Sequence, residues 1–471
     1  MTLIKSISGI RGTIGGTPST NLTPLDIVKF AAAYGTWVKT QQSEEKKAEK
    51  LMVVLGRDAR ISGQMVSDLV ASTLIGLGID VIDLGLSTTP TVEMAVVDKQ
   101  AAGGIILTAS HNPIQWNALK LLNSSGEFID GEAGNKILEI ADKEEFTFAE
   151  VKQLGKVTKD EAYLQQHIEK IIALPLVDVE AIRAANFKIV VDAVNSSGAI
   201  AVPALLEALG VRECRVLNAE PNGHFAHNPE PLPENIREIC SELVKGDYDL
   251  GIVVDPDVDR LALVCENGEP FGEEYTLVAV ADYVLSKSST QSLRTVSNLS
   301  STLALKDVTE KHGGTYEASA VGEVNVVKKM KEIGAIIGGE GNGGIIYPEL
   351  HYGRDALVGI ALFLSHLAHF GKAVGFLRKK YPNYHIAKKK IELSDDVDLK
   401  HILHEIEKKY TGKYPVITID GVKILFDKEW VHLRGSNTEP IIRIYAESEM
   451  ETTADTLADK IIDDIRVLMH Q

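Results

Sequence analysis

Ser110 lies in the segment Thr108-Ala109-Ser110-His111-Asn112-Pro113, directly after the apolar run 104–107. A small residue before the serine and a proline three residues after it place the hydroxyl on an exposed turn. His111 beside it and Lys120 further on offer proton transfer or positive charge. A serine hydroxyl is a weak nucleophile until a base, a metal or a cation assists it. Taken alone, the segment reads equally well as an ordinary Ser/Asn/Pro turn. A second segment, Asp255-Pro256-Asp257-Val258-Asp259-Arg260, joins two apolar runs, 250–254 and 261–264. Alternate residues of an extended turn share a side, so three carboxylates face one another. Carboxylates ~4 Å apart repel by roughly 4 kcal/mol per pair at a surface-like dielectric, which calls for a cation. All-oxygen ligation suits Mg²⁺ or Ca²⁺, and Mg²⁺ often completes its shell with phosphate and water. Glu266 falls where an EF-hand has its last ligand, but Arg260 occupies the position that needs glycine and strands flank the loop.

The third segment, Gly338-Gly339-Glu340-Gly341-Asn342-Gly343-Gly344, follows the run 333–337 and formally contains G-x-G-x-x-G. Ile345-Ile346-Tyr347-Pro348 comes next and cannot open the helix on which a dinucleotide pyrophosphate sits. Glycines without a helix let the backbone approach a ligand closely. Glu340 and Asn342 suit sugar hydroxyls, though a plain glycine turn has the same composition. The fourth segment is Arg434-Gly435-Ser436-Asn437-Thr438-Glu439-Pro440, with Arg443 at the start of the next strand. Guanidinium groups, two hydroxyls and accessible backbone N–H groups make a phosphate clamp. An arginine at a strand–loop edge can also be purely structural.

The elements that position these loops alternate between short β-rich runs and amphipathic stretches. Strands are expected at 52–55, 81–84, 104–107, 188–191, 214–217, 250–254, 295–298, 315–318 and 333–337, with helices at 62–77, 199–209, 274–285 and 322–332. Such alternation implies α/β domains with largely parallel sheets, whose ligands bind at the C-terminal ends of the strands. The runs fall into three groups of three. After Lys379-Lys380-Tyr381-Pro382 the pattern becomes alternating strands and two helices, a smaller α+β domain. The expected domains are therefore 1–155, 156–265, 266–378 and 379–471, carrying the serine, acidic, glycine-rich and arginine loops in turn.

Composition sets the limits. With 471 residues, 44% hydrophobic and 24% charged, every domain can bury a core. A net charge of −17 argues against nucleic acid and anionic membrane as partners. Phosphate must then be met by a local cluster of Arg and Lys. Cys214, Cys240 and Cys265 lack metal-ligand spacing and read as reduced thiols. No apolar run is long enough to span a bilayer, and the N-terminal residues lack a signal-peptide pattern, so a cytoplasmic protein is expected.

In this order, one per expected domain, the four loops resemble those of the α-D-phosphohexomutase superfamily, and the resemblance spans nearly the whole chain. Its T-[AG]-S-H-N-P loop carries a phosphoserine, which corresponds to Ser110. Its D-x-D-x-D-R loop binds Mg²⁺, here through Asp255, Asp257 and Asp259 with the Ser110 phosphate, and Arg260 adds positive charge. Its G-G-E-x-x-G loop recognises the sugar, here through Glu340 and Asn342. Its R-x-S-[GN]-T-E-P loop holds the substrate phosphate, here through Arg434, Ser436, Asn437, Thr438 and Arg443. Ser8-Gly9-Ile10-Arg11-Gly12 looks like the family's G-I-R-G segment, whose arginine lines the site, and Lys120 matches a lysine of proton transfer.

The resemblance implies three similar mixed-sheet α/β domains and a smaller α+β domain around a central cleft. It implies a mutase that interconverts sugar 6-phosphate and 1-phosphate through phosphoserine and a bisphosphorylated sugar, as monomer or homodimer, with Lys120 and His111 as acid and base. Two departures stand out. Pro256 and Val258 replace glycines between the metal aspartates, and Asn342 and Gly344 replace a Ser and a His of phosphomannomutase/phosphoglucomutase loops. The second resembles amino-sugar mutases and points to glucosamine phosphate, with glucose or mannose phosphate as the alternative. A phosphatase with an aspartate nucleophile, or a non-catalytic sugar-phosphate binder, would not need Ser110.

Overall fold

The computed structural model describes residues 2–6, 9–41, 50–289, 292–393, 398–435 and 441–469. The chain divides into two compact units, Met1–Thr276 with Asn342–Phe376, and Leu277–Gly341 with Leu377–Gln471.

The first unit holds two sheets. The run Gly-Gly-Ile-Ile-Leu is apolar throughout because the strand it forms, Gly103–Leu107, is buried on both faces, as parallel strands covered by helices are. It pairs in parallel with Met52–Arg57, which pairs with Asp80–Leu86, and that strand with Val157–Lys159. On its other side the sheet continues antiparallel through Trp116–Leu122, Gly9–Thr13 and Ile4–Ser6, seven strands in all. Helix Pro24–Thr40 covers one face. Its Tyr34 hydroxyl bonds the carbonyls of Gly104 and Leu122, and a Cβ on Gly103 would stand 2.2 Å from that oxygen. Only glycine admits this approach. The second sheet runs Leu261–Cys265, Leu250–Val254, Lys188–Asp192, Glu213–Leu217. Its one antiparallel pair, Leu250–Val254 with Leu261–Cys265, presents the acidic segment at its turn. Helix Ala356–Phe370 is buried along its first twelve residues, so its apolar character continues all round. Asp355 caps it, Oδ1 accepting from the amides of Leu357 (2.8 Å) and Val358 (3.2 Å).

In the second unit, Arg294–Asn298 lies parallel between Thr315–Ser319 and Ile337–Glu340. The C-terminal sheet is antiparallel, ordered His385–Glu392, Ile441–Ser448, Trp430–Gly435, Val422–Leu425, Val416–Ile417. Helices Leu399–Tyr410 and Glu451–Met469 pack on it through Ile402, Ile406, Ala458, Ile461 and Ile465. The α/β class with mixed sheets and a smaller α+β C-terminal part is as expected.

Three expectations need correction. The strand placed at 333–337 is Ile337–Glu340, because helix Glu323–Ile333 persists until Gly334 terminates it at φ 65°. Gly338, Gly339 and Glu340 are accordingly strand residues rather than loop residues. The groups of three also missed the strands Ile4–Ser6, Gly9–Thr13, Trp116–Leu122 and Val157–Lys159. The first and last of these have only three residues each, too short for alternation to register. Finally, Ser110 does not lie exposed: it is 7% accessible, because its hydroxyl turns inward.

Candidate active site

Strand Gly103–Leu107 ends beside a buried arginine that shapes the serine turn. Arg60 Nε pairs with Asp58 Oδ2 at 3.1 Å. Its terminal nitrogens donate to the carbonyls of Ser110 (2.5 Å), Asn112 (2.7 Å), Pro113 (2.8 Å) and Trp116 (2.9 Å). Asp58 Oδ2 also accepts from Thr108 Oγ1 at 2.7 Å, and Thr108 Oγ1 accepts from the Ser110 amide at 2.9 Å. Arg60 and Asp58 are 1% and 0% exposed. A guanidinium with its donors spent on carbonyls fixes the loop's path and holds Ser110 in the left-handed region at φ 48°.

The Ser110 hydroxyl then donates to Asp255 Oδ2 at 2.6 Å. Asp255, Asp257 and Asp259 are all 0% exposed, and one carboxylate oxygen from each lies within 4.8 Å of the others. Asp255 Oδ1 accepts from the amides of Asp259 and Arg260, both at 3.2 Å, closing the loop on itself. This turn forces Val258 to φ 61°, a conformation that a β-branched residue adopts only under constraint. Thr89 Oγ1 donates to Asp257 Oδ2 at 2.6 Å. Lys120 Nζ reaches the same oxygen at 2.7 Å and Asp259 Oδ2 at 3.3 Å, and Arg354 donates to Asp259 Oδ2 at 2.7 Å.

Burial, reinforced by Asp257 and Asp259, pushes Asp255 well above the ordinary carboxylate range. Burial acts the same way on Asp259, but Arg354, Lys120 and Arg260 override it and hold that group below the range. Lys120 is likewise desolvated, yet Asp257 and Asp259 raise it, so it stays protonated. His111 is driven well below its usual value by burial and by Arg260, so it is neutral at neutral pH. Arg11 is lowered by burial and by Arg260; it also bonds Asn112 Oδ1 at 3.3 Å. Arg260 pairs with Glu230 at 3.3 Å, and His111 Nε2 is 3.8 Å from the same oxygen.

The three aspartates fit a divalent cation. Asp257 Oδ1 and Asp259 Oδ1 are buried with no hydrogen-bond partner among the described residues. Buried acceptors of that kind are costly unless something positive reaches them. Lys120 and Arg354 contact Asp257 and Asp259, but neither reaches Asp255, which meets the Ser110 hydroxyl and two backbone amides.

The second unit contains the other expected residues. Glu340 ends strand Ile337–Glu340 at 4% exposure, its Oε1 accepting from Asn298 Nδ2 (2.8 Å) and the Gly322 amide (3.1 Å). Strand register sets Arg434 opposite Arg443, and Arg443 opposite Lys390. Like charges directly opposite destabilise a sheet, so this row of three cations calls for an anion. Arg434 Nε is 3.6 Å from Asp420 Oδ2. Ser436, Asn437 and Thr438 lie outside the described residues. Asn342 belongs to the first unit, where its Oδ1 accepts from the Gly344 amide at 3.2 Å.

The structure thus gathers Ser110, His111, Lys120, Arg11, Asp255, Asp257, Asp259 and Arg260 within one unit. It adds Asp58, Arg60, Thr89, Glu230 and Arg354, which the motif reading passed over. Asp58 and Arg60 had a signal: an acid–base pair directly after a buried parallel strand. Arg354 had one too, since it precedes the capping Asp355 of a strongly apolar helix. Lys390 had none, because cross-strand register is not readable from one strand.

A serine donating into a buried acidic triad, ringed by Arg and Lys, defines an enzyme that handles phosphate with the help of a cation. Four consecutive family models match the chain: Phosphoglucomutase/phosphomannomutase alpha/beta/alpha domain I over residues 3–148, domain II over 165–268, domain III over 272–384 and the C-terminal domain over 389–464. The chain belongs to this phosphohexomutase family and is an intramolecular phosphotransferase of the isomerase class. A phosphoglucomutase/phosphomannomutase of Thermococcus kodakarensis is 36% identical over 448 residues, covering 94% of this chain and 95% of that protein. A phosphoglucosamine/phosphogalactosamine mutase of Sulfurisphaera tokodaii is 30% identical, covering 96% and 97%. A crystal structure of a phosphoglucomutase/phosphomannomutase family protein from Burkholderia thailandensis superposes with TM-score 0.82 at 25% identity, covering 98% of this chain and 97% of that one. Among the described residues no helix is long and apolar enough to cross a membrane.

Proposed function

We propose that this chain interconverts glucosamine 6-phosphate and glucosamine 1-phosphate, with Ser110 as the phosphate carrier. The observation that carries the carrier role is the Ser110 Oγ–Asp255 Oδ2 contact of 2.6 Å inside the buried triad. Asp255, Asp257 and Asp259 would hold Mg²⁺ together with the Ser110 phosphate. Bound there, the ion supplies charge neutralisation to the phosphoryl group, the dominant need of such transfers.

In the first half-reaction a sugar hydroxyl attacks the phosphorus of phospho-Ser110. A new P–O bond to the sugar forms, the bond to Ser110 Oγ breaks, and the hydroxyl proton passes to neutral His111. Lys120, held protonated by Asp257 and Asp259, is the complementary acid, and Arg11 and Arg260 carry charge for the moving group. The bisphosphorylated sugar then presents its other phosphate, and Ser110 Oγ takes it back by the reverse of the same step. Glu340 and Asn342 are assigned to the sugar hydroxyls. Arg434, Arg443, Ser436, Asn437 and Thr438 are assigned to the phosphate that is not in transfer. The same division gives each expected domain, 1–155, 156–265, 266–378 and 379–471, one task.

Two things support glucosamine: the Asn342 and Gly344 departures, and the amino-sugar mutase of Sulfurisphaera tokodaii. The Thermococcus kodakarensis relative supports a second reading, glucose or mannose phosphate. Assaying the 1-phosphates of glucosamine, glucose and mannose side by side, with Mg²⁺ and a trace of sugar bisphosphate, decides between them. Glucosamine 1-phosphate is expected to show the largest kcat/KM. Conversion of it far more slowly than both others would overturn the substrate assignment. A cytoplasmic enzyme of small-molecule substrates completes the reading.

A further inference from the structure

A second group of metal-ligating side chains lies in the first unit, apart from the acidic triad. His167 is on helix Tyr163–Ile172, His351 precedes helix Ala356–Phe370, and Asp355 caps that helix. One ligand atom from each lies within 4.8 Å of the others. His167 Nε2 is 3.0 Å, and His351 Nε2 3.3 Å, from the same oxygen, Asp355 Oδ2. Asp355 Oδ1 is already spent on the helix cap, so Oδ2 is the atom offered to both rings. Ligands on a tetrahedral ion with bonds of ~2.0–2.1 Å stand about 3.3 Å apart, which these separations approach.

The far sides of both rings are also partnered. His167 Nδ1 is 2.9 Å from Thr91 Oγ1 and His351 Nδ1 is 3.4 Å from Glu93 Oε2. A hydroxyl and a carboxylate behind two imidazoles are the outer partners that orient metal-bound histidines and fix their tautomer. Gly353 makes room for this packing, since a Cβ there would stand 1.8 Å from Glu93 Oε2 and 2.9 Å from His351 Cε1.

Asp355 and Glu93 are 0% and 1% exposed, so the cluster lies out of water, where a bound ion is held by its ligands alone. A divalent ion on His167 Nε2, His351 Nε2 and Asp355 Oδ2 would leave each ring to donate its Nδ1–H outward, to Thr91 Oγ1 and Glu93 Oε2.

We propose that His167, His351 and Asp355 form a structural site for a divalent ion of the Zn²⁺ class, with Thr91 and Glu93 orienting the rings. Imidazole nitrogens suit such ions, whereas the oxygen-only triad suits Mg²⁺. The ion would staple helix Thr89–Asp98, helix Tyr163–Ile172 and the start of helix Ala356–Phe370. Thr89 and Arg354, which bond Asp257 and Asp259, lie at the ends of two of these elements.

The test uses the full chain, stripped with chelator and then saturated with Mg²⁺ to fill the triad. Titration with Co²⁺ is expected to take up one equivalent with the intense visible bands of a four-coordinate nitrogen–oxygen site. Zn²⁺ should displace it, with Kd below about 1 μM. The bands should vanish in His167→Gln and His351→Gln, and Glu93→Gln should weaken binding by ~10–100-fold. Wild-type protein that takes up no Co²⁺ or Zn²⁺ beyond the Mg²⁺ site overturns the proposal without recourse to any variant. So does uptake that the histidine substitutions leave unchanged.

Discussion

The acidic triad and the C-terminal cation row solve opposite electrostatic problems in different ways. Asp255, Asp257 and Asp259 are fully buried, and each has a fixed donor: Lys120 on Asp257 and Asp259, Arg354 on Asp259, the Ser110 hydroxyl on Asp255. Lys390, Arg443 and Arg434 form a row across three strands and are only partly buried or exposed. Desolvation multiplies the cost of an error in the first region, whereas solvent screens it in the second. The triad should therefore tolerate almost no substitution, and the row should respond by degrees.

Ser110→Ala is the most severe way to probe the contrast. Turnover should fall to background while the chain still folds, with a loss of about 1–3 kcal/mol because buried Asp255 Oδ2 loses its donor; steady-state rates and a denaturation curve check both. Asp257→Asn should cost ~10²–10³-fold in kcat, the range for one lost electrostatic stabiliser. It should leave the fold intact because a repelling carboxylate has gone. Arg434→Ala should act mainly on KM, raising it ~10–100-fold by losing a charge-assisted phosphate contact. Relief of the facing Arg443 should leave stability unchanged or raise it by up to ~1 kcal/mol. Lys390→Ala sharpens the comparison at its weak end, with a rise in KM of only a few fold. Comparable losses of kcat at Arg434 and Asp257 would break the distinction between the two regions.

Within the second unit the sheet also carries a pH-dependent term. His432 is 1% exposed, with Nδ1 2.9 Å from Ser300 Oγ and Nε2 2.7 Å from the Asp420 carbonyl. The neutral ring satisfies both contacts, and burial lowers its pKa to about 4. The unfolded chain, with an ordinary value near ~6.5, binds the proton first on acidification. The stability is present in full above pH ~6.5 and is lost as pH falls towards 4. A shift of this size amounts to roughly 3 kcal/mol. Denaturant midpoints of wild type and His432→Gln, measured between pH 7 and 4, should converge on the acid side.

What could be read in the sequence followed from local chemistry. The apolar runs marked the central strands within a residue or two, because a strand buried on both faces is apolar regardless of what surrounds it. Ser110, the three aspartates, Lys120 and Arg11 were all legible as motif members. What stayed hidden depends on tertiary pairing. Arg60 acts through four carbonyls distant in sequence, Lys390 joins its row only through register, and Arg354 reaches Asp259 across 95 positions. The misplaced strand at 333–337 shows the same limit, since Ile333 is apolar in a helix as readily as in a strand and only Gly334 marks the boundary.

The carrier role of Ser110 is tested most directly by intact mass and peptide mapping of the full chain after treatment with sugar bisphosphate and Mg²⁺. The account predicts one phosphate per chain, located on Ser110, and lost again when sugar monophosphate is added. Turnover by protein that never carries phosphate at Ser110, or that carries it elsewhere, would contradict it.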